Sequence, residues 1–294
     1  MSPFAADAVD TQFVRSAEVT YAYRRLGSNT GTPLLMANRF RGTMDHWDPV
    51  LLDRLACERD LIIFDSAGVS LSTGVVPDTI TGMAEHLLSF TEALNLTELD
   101  RLGWSMGGMV ALSAVLARPE LFRRLIVAAS SPGPVPGTPP RSDAATVAGK
   151  PVNDDDDFLY LFFPDTAQAA GRASLRRLDY RLSGSHASVA EPGVRSQQTA
   201  TARWSRNEDA AWDRLAEFDL PVLVANGAHD VMIPAFQTYA MTQRLPRAKA
   251  ILYSDAGHAF LFQHHADFAI EVLEFLAAAD PLSPSGHDAA APAA

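Results

Sequence analysis

Three residues carry the chemistry this chain is best equipped for: Ser105, His258 and Asp230. Ser105 sits in Gly103-Trp104-Ser105-Met106-Gly107, after a short apolar run and before the apolar stretch Met109-Val-Ala-Leu. That reads as strand, sharp turn and helix, with the hydroxyl standing clear at the turn and small neighbours letting strand and helix approach closely. The amide of Met106 then lies at a helix N-terminus, where unpaired donors and the dipole favour a developing oxyanion. A serine hydroxyl is a weak nucleophile until a base takes its proton. Of the eight histidines, His258 lies in a loop (Ser254-Asp-Ala-Gly-His258-Ala-Phe260) directly after the last strand-like run. His46, His86, His264 and His265 fall on helices or helix starts, His186 and His229 lie elsewhere in loops or the middle segment, and His287 is in the tail. The base in turn needs a carboxylate to fix its tautomer. Asp230 follows the run Pro221–Asn226 and precedes Pro234, which opens a helix. The alternatives are an incidental serine at a glycine-rich helix start and a turn aspartate that merely caps the next helix.

The elements that must position these groups alternate along the chain. Pro33–Ala37, Leu61–Phe64, Leu99–Trp104, Leu125–Ala128, Val222–Ala225 and Ala250–Tyr253 are short apolar runs of the kind that form strands buried on both faces. Thr20–Arg25 alternates like a half-exposed strand in an edge hairpin. Helical spacing follows in Ile80–Leu94, with Asp78 as the expected N-cap, in Val110–Leu116 and in Phe268–Leu276. The expectation is an α/β fold: a mostly parallel sheet of about eight strands with helices on both faces. The rhythm breaks between 132 and 219, which reads as a helical insertion with pieces at Phe158–Phe163, Ala167–Leu182 and Asp209–Phe218. The core is then 1–131 with 220–280, and the Pro/Ser/Ala-rich stretch 281–294 reads as a disordered tail.

A chain of 294 residues can bury a core without disulfide or metal staples. Its one cysteine, Cys57, sits among leucines and is expected to be a buried thiol. The net charge of −11 disfavours nucleic acid and anionic membrane as partners. No secretory signal and no apolar run near the ~20 residues of a spanning helix is present, so a cytoplasmic location is expected. The acidic run Asp154–Asp157 lacks the spaced ligands and glycine of a calcium loop, so it reads as a solvated helix start and no metal is assigned.

Together the three motifs resemble the α/β-hydrolase superfamily from about Arg15 to Ala277, and their chain order Ser, Asp, His is the order usual in that fold. Phe64-Asp65-Ser-Ala-Gly68-Val-Ser70-Leu-Ser72 is similar to the family's D-x-x-G-x-G-x-S loop, with Ser70 in place of the second glycine. Serine at the nucleophile position argues against haloalkane dehalogenases and epoxide hydrolases, which carry aspartate there. The resemblance implies a helical lid at 132–219 and a second oxyanion amide, which by alignment belongs to Phe40. Here the family's His-Gly is replaced by Asn38-Arg39. Arg39 either binds a polar or anionic substrate group or pairs with a carboxylate as scaffold, and the scaffold pair is expected.

The resemblance implies a cofactor-independent serine hydrolase that cleaves a carboxylic ester or lactone of a medium-sized apolar molecule through an acyl-enzyme. Asn38, Arg39, Trp104, Tyr160, Phe162, Phe163 and Trp204 are the candidate substrate contacts, although aromatic residues in a lid also serve simply to pack it. A cofactor-free haloperoxidase or perhydrolase, and a carbon–carbon bond hydrolase, use the same three residues and remain open. So do a non-enzymatic ligand receptor on this fold and a homo-oligomeric state.

Overall fold

The computed structural model describes residues 2–139, 143–185 and 188–279. Within it, β1 (Gln12–Ser16), β2 (Val19–Leu26), β3 (Leu34–Ala37), α1 (Pro49–Ala56), β4 (Leu61–Phe64), α2 (Ile80–Ala93), β5 (Leu99–Trp104), α3 (Met106–Ala117) and β6 (Phe122–Ala128) follow in order. Next come α4 (Ala144–Ala148), α5 (Asp155–Phe162), α6 (Gln168–Ser185) and α7 (Glu191–Ser205). The chain closes with β7 (Val222–Gly227), α8 (Phe236–Thr242), β8 (Ala248–Tyr253), α9 (Phe260–Gln263) and α10 (His265–Ala277). The expected tail 281–294, His186 and His287 lie outside the described residues.

The eight strands form one sheet in the order β1-β2-β4-β3-β5-β6-β7-β8, and only the β1–β2 and β2–β4 pairs are antiparallel. Every residue of β3, β4, β5 and β7 is buried, because helices cover both faces of the sheet. Alternate side chains take opposite sides. Leu35, Ile62, Val127 and Val224 pack with α2 and α3. Leu34, Met36, Ile63, Leu102 and Ile126 pack with α1 and α10. Ten of the twelve residues of α3 are buried, so this helix is apolar on every side and lies inside the molecule.

Four local expectations are corrected. Ala250–Tyr253 belongs to an edge strand with no fully buried residue, since β8 pairs only with β7. Cys57 is exposed, because it caps the C-terminus of α1 two residues beyond the last core-facing leucine, Leu55. The N-cap of α2 is Thr79, whose Oγ1 accepts the Gly82 amide at 3.0 Å, rather than Asp78. The stretch at 209–218 holds only a short 3-10 segment, Trp212–Glu217.

Strand β1 and helix α7 carry no clear signal in the sequence. Strand β1 is exposed on an edge and has few apolar residues. Helix α7 buries Val194, Gln197, Ala200 and Trp204, a face whose small and polar members hide its periodicity. Helices α4 to α7 lie between β6 and β7 and are tied to the core by polar contacts. In α6, Ser174 and Arg177 both donate to the fully buried Asp48, at 2.9 and 2.6 Å, and Arg181 pairs with Asp45 at 3.2 Å. Removing one partner of such a buried pair typically costs about 3–5 kcal/mol. Among the described residues no helix is long and apolar enough to cross a membrane.

Candidate active site

Ser105 caps the N-terminus of α3 with φ 56° and ψ −122°, a region a residue with a Cβ rarely occupies. Such a conformation costs on the order of 1–3 kcal/mol and persists only where the surroundings impose it. They do so through close backbone contact. A Cβ on Gly103 would stand 2.3 Å from the Gly107 carbonyl oxygen, and one on Gly107 would stand 2.3 Å from the Ala37 carbonyl oxygen. The Ser105 amide donates to Ala128 O at 2.9 Å, and its carbonyl accepts the Ser130 hydroxyl at 2.7 Å. The turn is therefore fixed on both of its backbone groups. Ser130 was not anticipated, because nothing in sequence marks a serine beyond β6 as its partner.

Asp230 and His258 follow β7 and β8, so their loops emerge at the same edge of the sheet as Ser105. His258 Nδ1 lies 2.7 Å from Asp230 Oδ2, and both side chains are buried. The other oxygen of Asp230 accepts the amides of Met232 and Ile233, at 2.8 and 2.9 Å. The aspartate is thus a fixed acceptor that holds the proton of His258 on Nδ1 and leaves Nε2 basic. That Nε2 is fully enclosed and has no hydrogen-bond partner among the described residues. Trp104, immediately before Ser105, donates its indole N–H to the His258 carbonyl at 3.1 Å, tying the histidine loop to the strand that ends in the serine.

Ser105 opens into a cavity of about 290 Å³. Phe40, Met106, Met109, Met232 and Ile233 supply its core side, and Ala148 from α4 with Gln198, Thr201 and Ser205 from α7 supply the other. The amides of Phe40 and Met106 donate to no protein acceptor among the described residues. Both residues line the cavity into which Ser105 opens, so the arrangement can host a tetrahedral oxyanion.

The expected substrate contacts are dispersed by the structure. Trp104 and Trp204 are both 0% exposed; the first packs beneath His258 and the second donates to Ser131 O at 3.0 Å. Asn38 is occupied in shaping its own loop, donating to Thr43 O and accepting the Arg39 amide, each at 2.8 Å. Tyr160 and Phe163 line a separate depression beside His229 and Gly257. Phe162 and Arg39 line a second cavity. None of the seven borders the Ser105 cavity. The α7 residues that do so were missed because that helix itself gave no signal.

The expected carboxylate partner of Arg39 is absent: no ion pair to Arg39 forms among the described residues. Its guanidinium lies 4.9 Å from the Phe162 ring centroid and 5.7 Å from that of Trp104, and Nη1 donates to Phe40 O at 2.9 Å. Burial, with Arg41 nearby, lowers its pKa to about 10, so it stays a cation at neutral pH. His46 is held down at about 3 by burial and by the Arg39 charge. Asp65 accepts the amides of Met44 and Leu71, and burial pushes its carboxyl up to about 6. Ser70 in the same loop takes φ 48°, the conformation for which glycine is the usual choice. Among the described residues no three metal-ligating side chains cluster.

A family model described as the alpha/beta hydrolase fold matches residues 32–265. The chain is 25% identical over 249 residues to a protein of Rhizobium rhizogenes provisionally named carbamate hydrolase RutD, covering 83% of this chain and 92% of the relative. It is 29% identical over 239 residues to the pimeloyl-[acyl-carrier protein] methyl ester esterase of Yersinia pseudotuberculosis, covering 76% and 86%. Among solved structures, an alpha/beta hydrolase fold protein from Chitinophaga pinensis superposes with a TM-score of 0.85 at 29% identity, over 93% of this chain and 99% of that one.

Proposed function

The chain belongs to the alpha/beta hydrolase fold family, and from that membership we infer a serine hydrolase that cleaves a carboxylic ester or lactone through an acyl-enzyme on Ser105. The observation that carries this reading is the buried His258–Asp230 pair with its partnerless Nε2, at the strand edge where Ser105 is held at positive φ over a cavity. In the proposed sequence Ser105 Oγ attacks the acyl carbon as His258 Nε2 takes the hydroxyl proton. Asp230 stabilises the imidazolium that results, and the amides of Met106 and Phe40 hold the oxyanion. Collapse breaks the bond to the leaving alcohol, which receives the proton from His258. Water, deprotonated by the same nitrogen, then attacks the acyl-enzyme and releases the acid with Ser105 restored.

The mostly apolar lining suits an apolar group of modest size. The Yersinia relative is named for a methyl ester, so methyl esters of medium-chain acids are the first substrates to assay. A fluorophosphonate probe is expected to place its adduct on the peptide bearing Ser105. Ser105→Ala should remove labelling and lower turnover by ~10⁴–10⁶-fold without altering the fold. An adduct on another residue, or turnover that survives the substitution, overturns the reading.

A further inference from the structure

The second cavity, of about 340 Å³, is lined by Arg39 and Arg41, the residues on either side of Phe40 in the chain. Phe40 itself lines the Ser105 cavity and carries the Arg41 guanidinium over its ring at 5.3 Å. His46 also lines the second cavity, as do the polar residues Asn153, whose Nδ2 is taken up by Val147 O, and Ser188. The Nε of Arg39 and that of Arg41 are enclosed without a hydrogen-bond partner among the described residues. Arg39 donates only to Phe40 O among the described residues, and stacking on Phe162 leaves the in-plane N–H groups of its guanidinium available. His46 Nδ1 accepts the Thr43 amide at 3.1 Å, so the neutral ring carries its proton on Nε2 and is a donor there. Much of the remaining lining is apolar: Phe158, Leu161, Leu175, Leu178, Leu182 and Val194. Asp154 and Asp155 also border the space, but both are exposed and lie at its rim.

A buried cation without a counter-ion is unfavourable, and burial without acceptors leaves its N–H groups unsatisfied. Cationic and neutral donors together with aliphatic side chains in one cavity match an amphiphile with one anionic end. The aspartates at the rim repel a dianion more than a monoanion, which favours carboxylate over phosphate. We propose that Arg39, Arg41 and His46 form a carboxylate subsite, and that the substrates are esters carrying a second, free carboxylate on a medium-length apolar chain. The substrate half of this proposal rests on the Ser105 reading above; the binding half does not.

The test therefore has two parts. By calorimetry, hexanoate should bind the unmodified protein about 10–100-fold more tightly than 1-hexanol, and more tightly than hexylphosphonate, as expected for charge-assisted hydrogen bonds. Arg39→Met should abolish that preference, and Arg41→Met should reduce it. If Arg39→Met does not fold, Arg41→Met and the three-ligand comparison still decide. Hexanoate binding no better than hexanol, tighter binding of hexylphosphonate, or an unchanged preference in the folded Arg variants overturns the subsite. In the rate assay, monomethyl adipate should exceed methyl hexanoate in kcat/KM by about 10-fold or more, chiefly through KM. Equal rates on the two would overturn the substrate class. Loss of all hydrolysis with hexanoate binding intact would instead remove the Ser105 reading and leave the subsite standing.

Discussion

At the Ser105 turn the chain is held by backbone: strand β5 ends against Ala128 O, two glycines admit carbonyl oxygens at distances no Cβ allows, and the serine is left in a strained conformation. At the Asn38–Gly42 loop, which borders the same cavity through Phe40, one backbone bond from Gly42 N–H to Arg39 O is joined by fixing groups that are side chains. Asn38 bonds within the loop, the Arg41 amide donates to Gln197 Oε1 of α7 at 2.9 Å, and Arg41 Nη1 reaches Asn153 Oδ1 at 3.0 Å. The first region is defined by the core alone. The second is held in part by the segment between β6 and β7, through Asn153 and through Gln197 of α7. Chemistry fixed by backbone contact tolerates little change, whereas a loop held by side chains from a helical segment is where specificity can drift while the core stays constant.

After Ser105→Ala itself, the largest expected effect probes the sheet edge that carries the Ser105 turn. Asp230→Asn keeps the shape but offers an amide where His258 needs a carboxylate, so the imidazole favours the wrong tautomer. Turnover should fall by about 10⁴-fold with a near-native melting temperature. A loss of only a few-fold would mean that another acid serves His258, and that this corner is not as uniquely determined as its geometry suggests.

A smaller effect is expected across the divide. Gln197→Ala leaves the Arg41 amide without its acceptor, at a cost of about 1–3 kcal/mol in stability. It should also loosen the loop that carries the Phe40 amide. If that amide helps to hold the oxyanion, kcat falls by about 10-fold for neutral and anionic esters alike, with KM little changed. A drop in stability with unaltered kcat would separate the loop from the chemistry.

The smallest effect is a change of slope. His46 has a folded pKa of about 3 against 6.5 when unperturbed, so the folded state disfavours its protonation. The stability this supplies is fully present above about pH 6.5 and is lost as the pH falls toward 3, by at most one proton per molecule. His46→Asn retains an acceptor for the Thr43 amide and removes the titration. Its denaturation midpoint should depend less on pH between 6.5 and 3 than that of the unmodified protein. Parallel curves would show that His46 is not held neutral beside Arg39.

What the sequence determined by itself was whatever depends on neighbours along the chain. The runs Leu61–Phe64 and Leu99–Trp104 are strands with those bounds, because a strand covered on both faces is apolar at every position. The turn around Ser105 was readable because glycine at 103 and 107 leaves room for close backbone contact, and His258 and Asp230 because each follows a strand by a few residues. Tertiary structure alone decided how remote segments meet. Edge exposure of β8 depends on what fails to cover it, and helix α7 buries a face on which Gly193, Gln197 and Ala200 interrupt the apolar period of Val194 and Trp204. The aromatic side chains expected at the substrate were placed by their chemistry, which cannot distinguish a residue packed beneath the site from one that faces it. The charge of Arg39 suggested an ion pair, but which groups surround a side chain is set by packing across the fold. There it meets two aromatic rings and a cavity wall instead of a carboxylate.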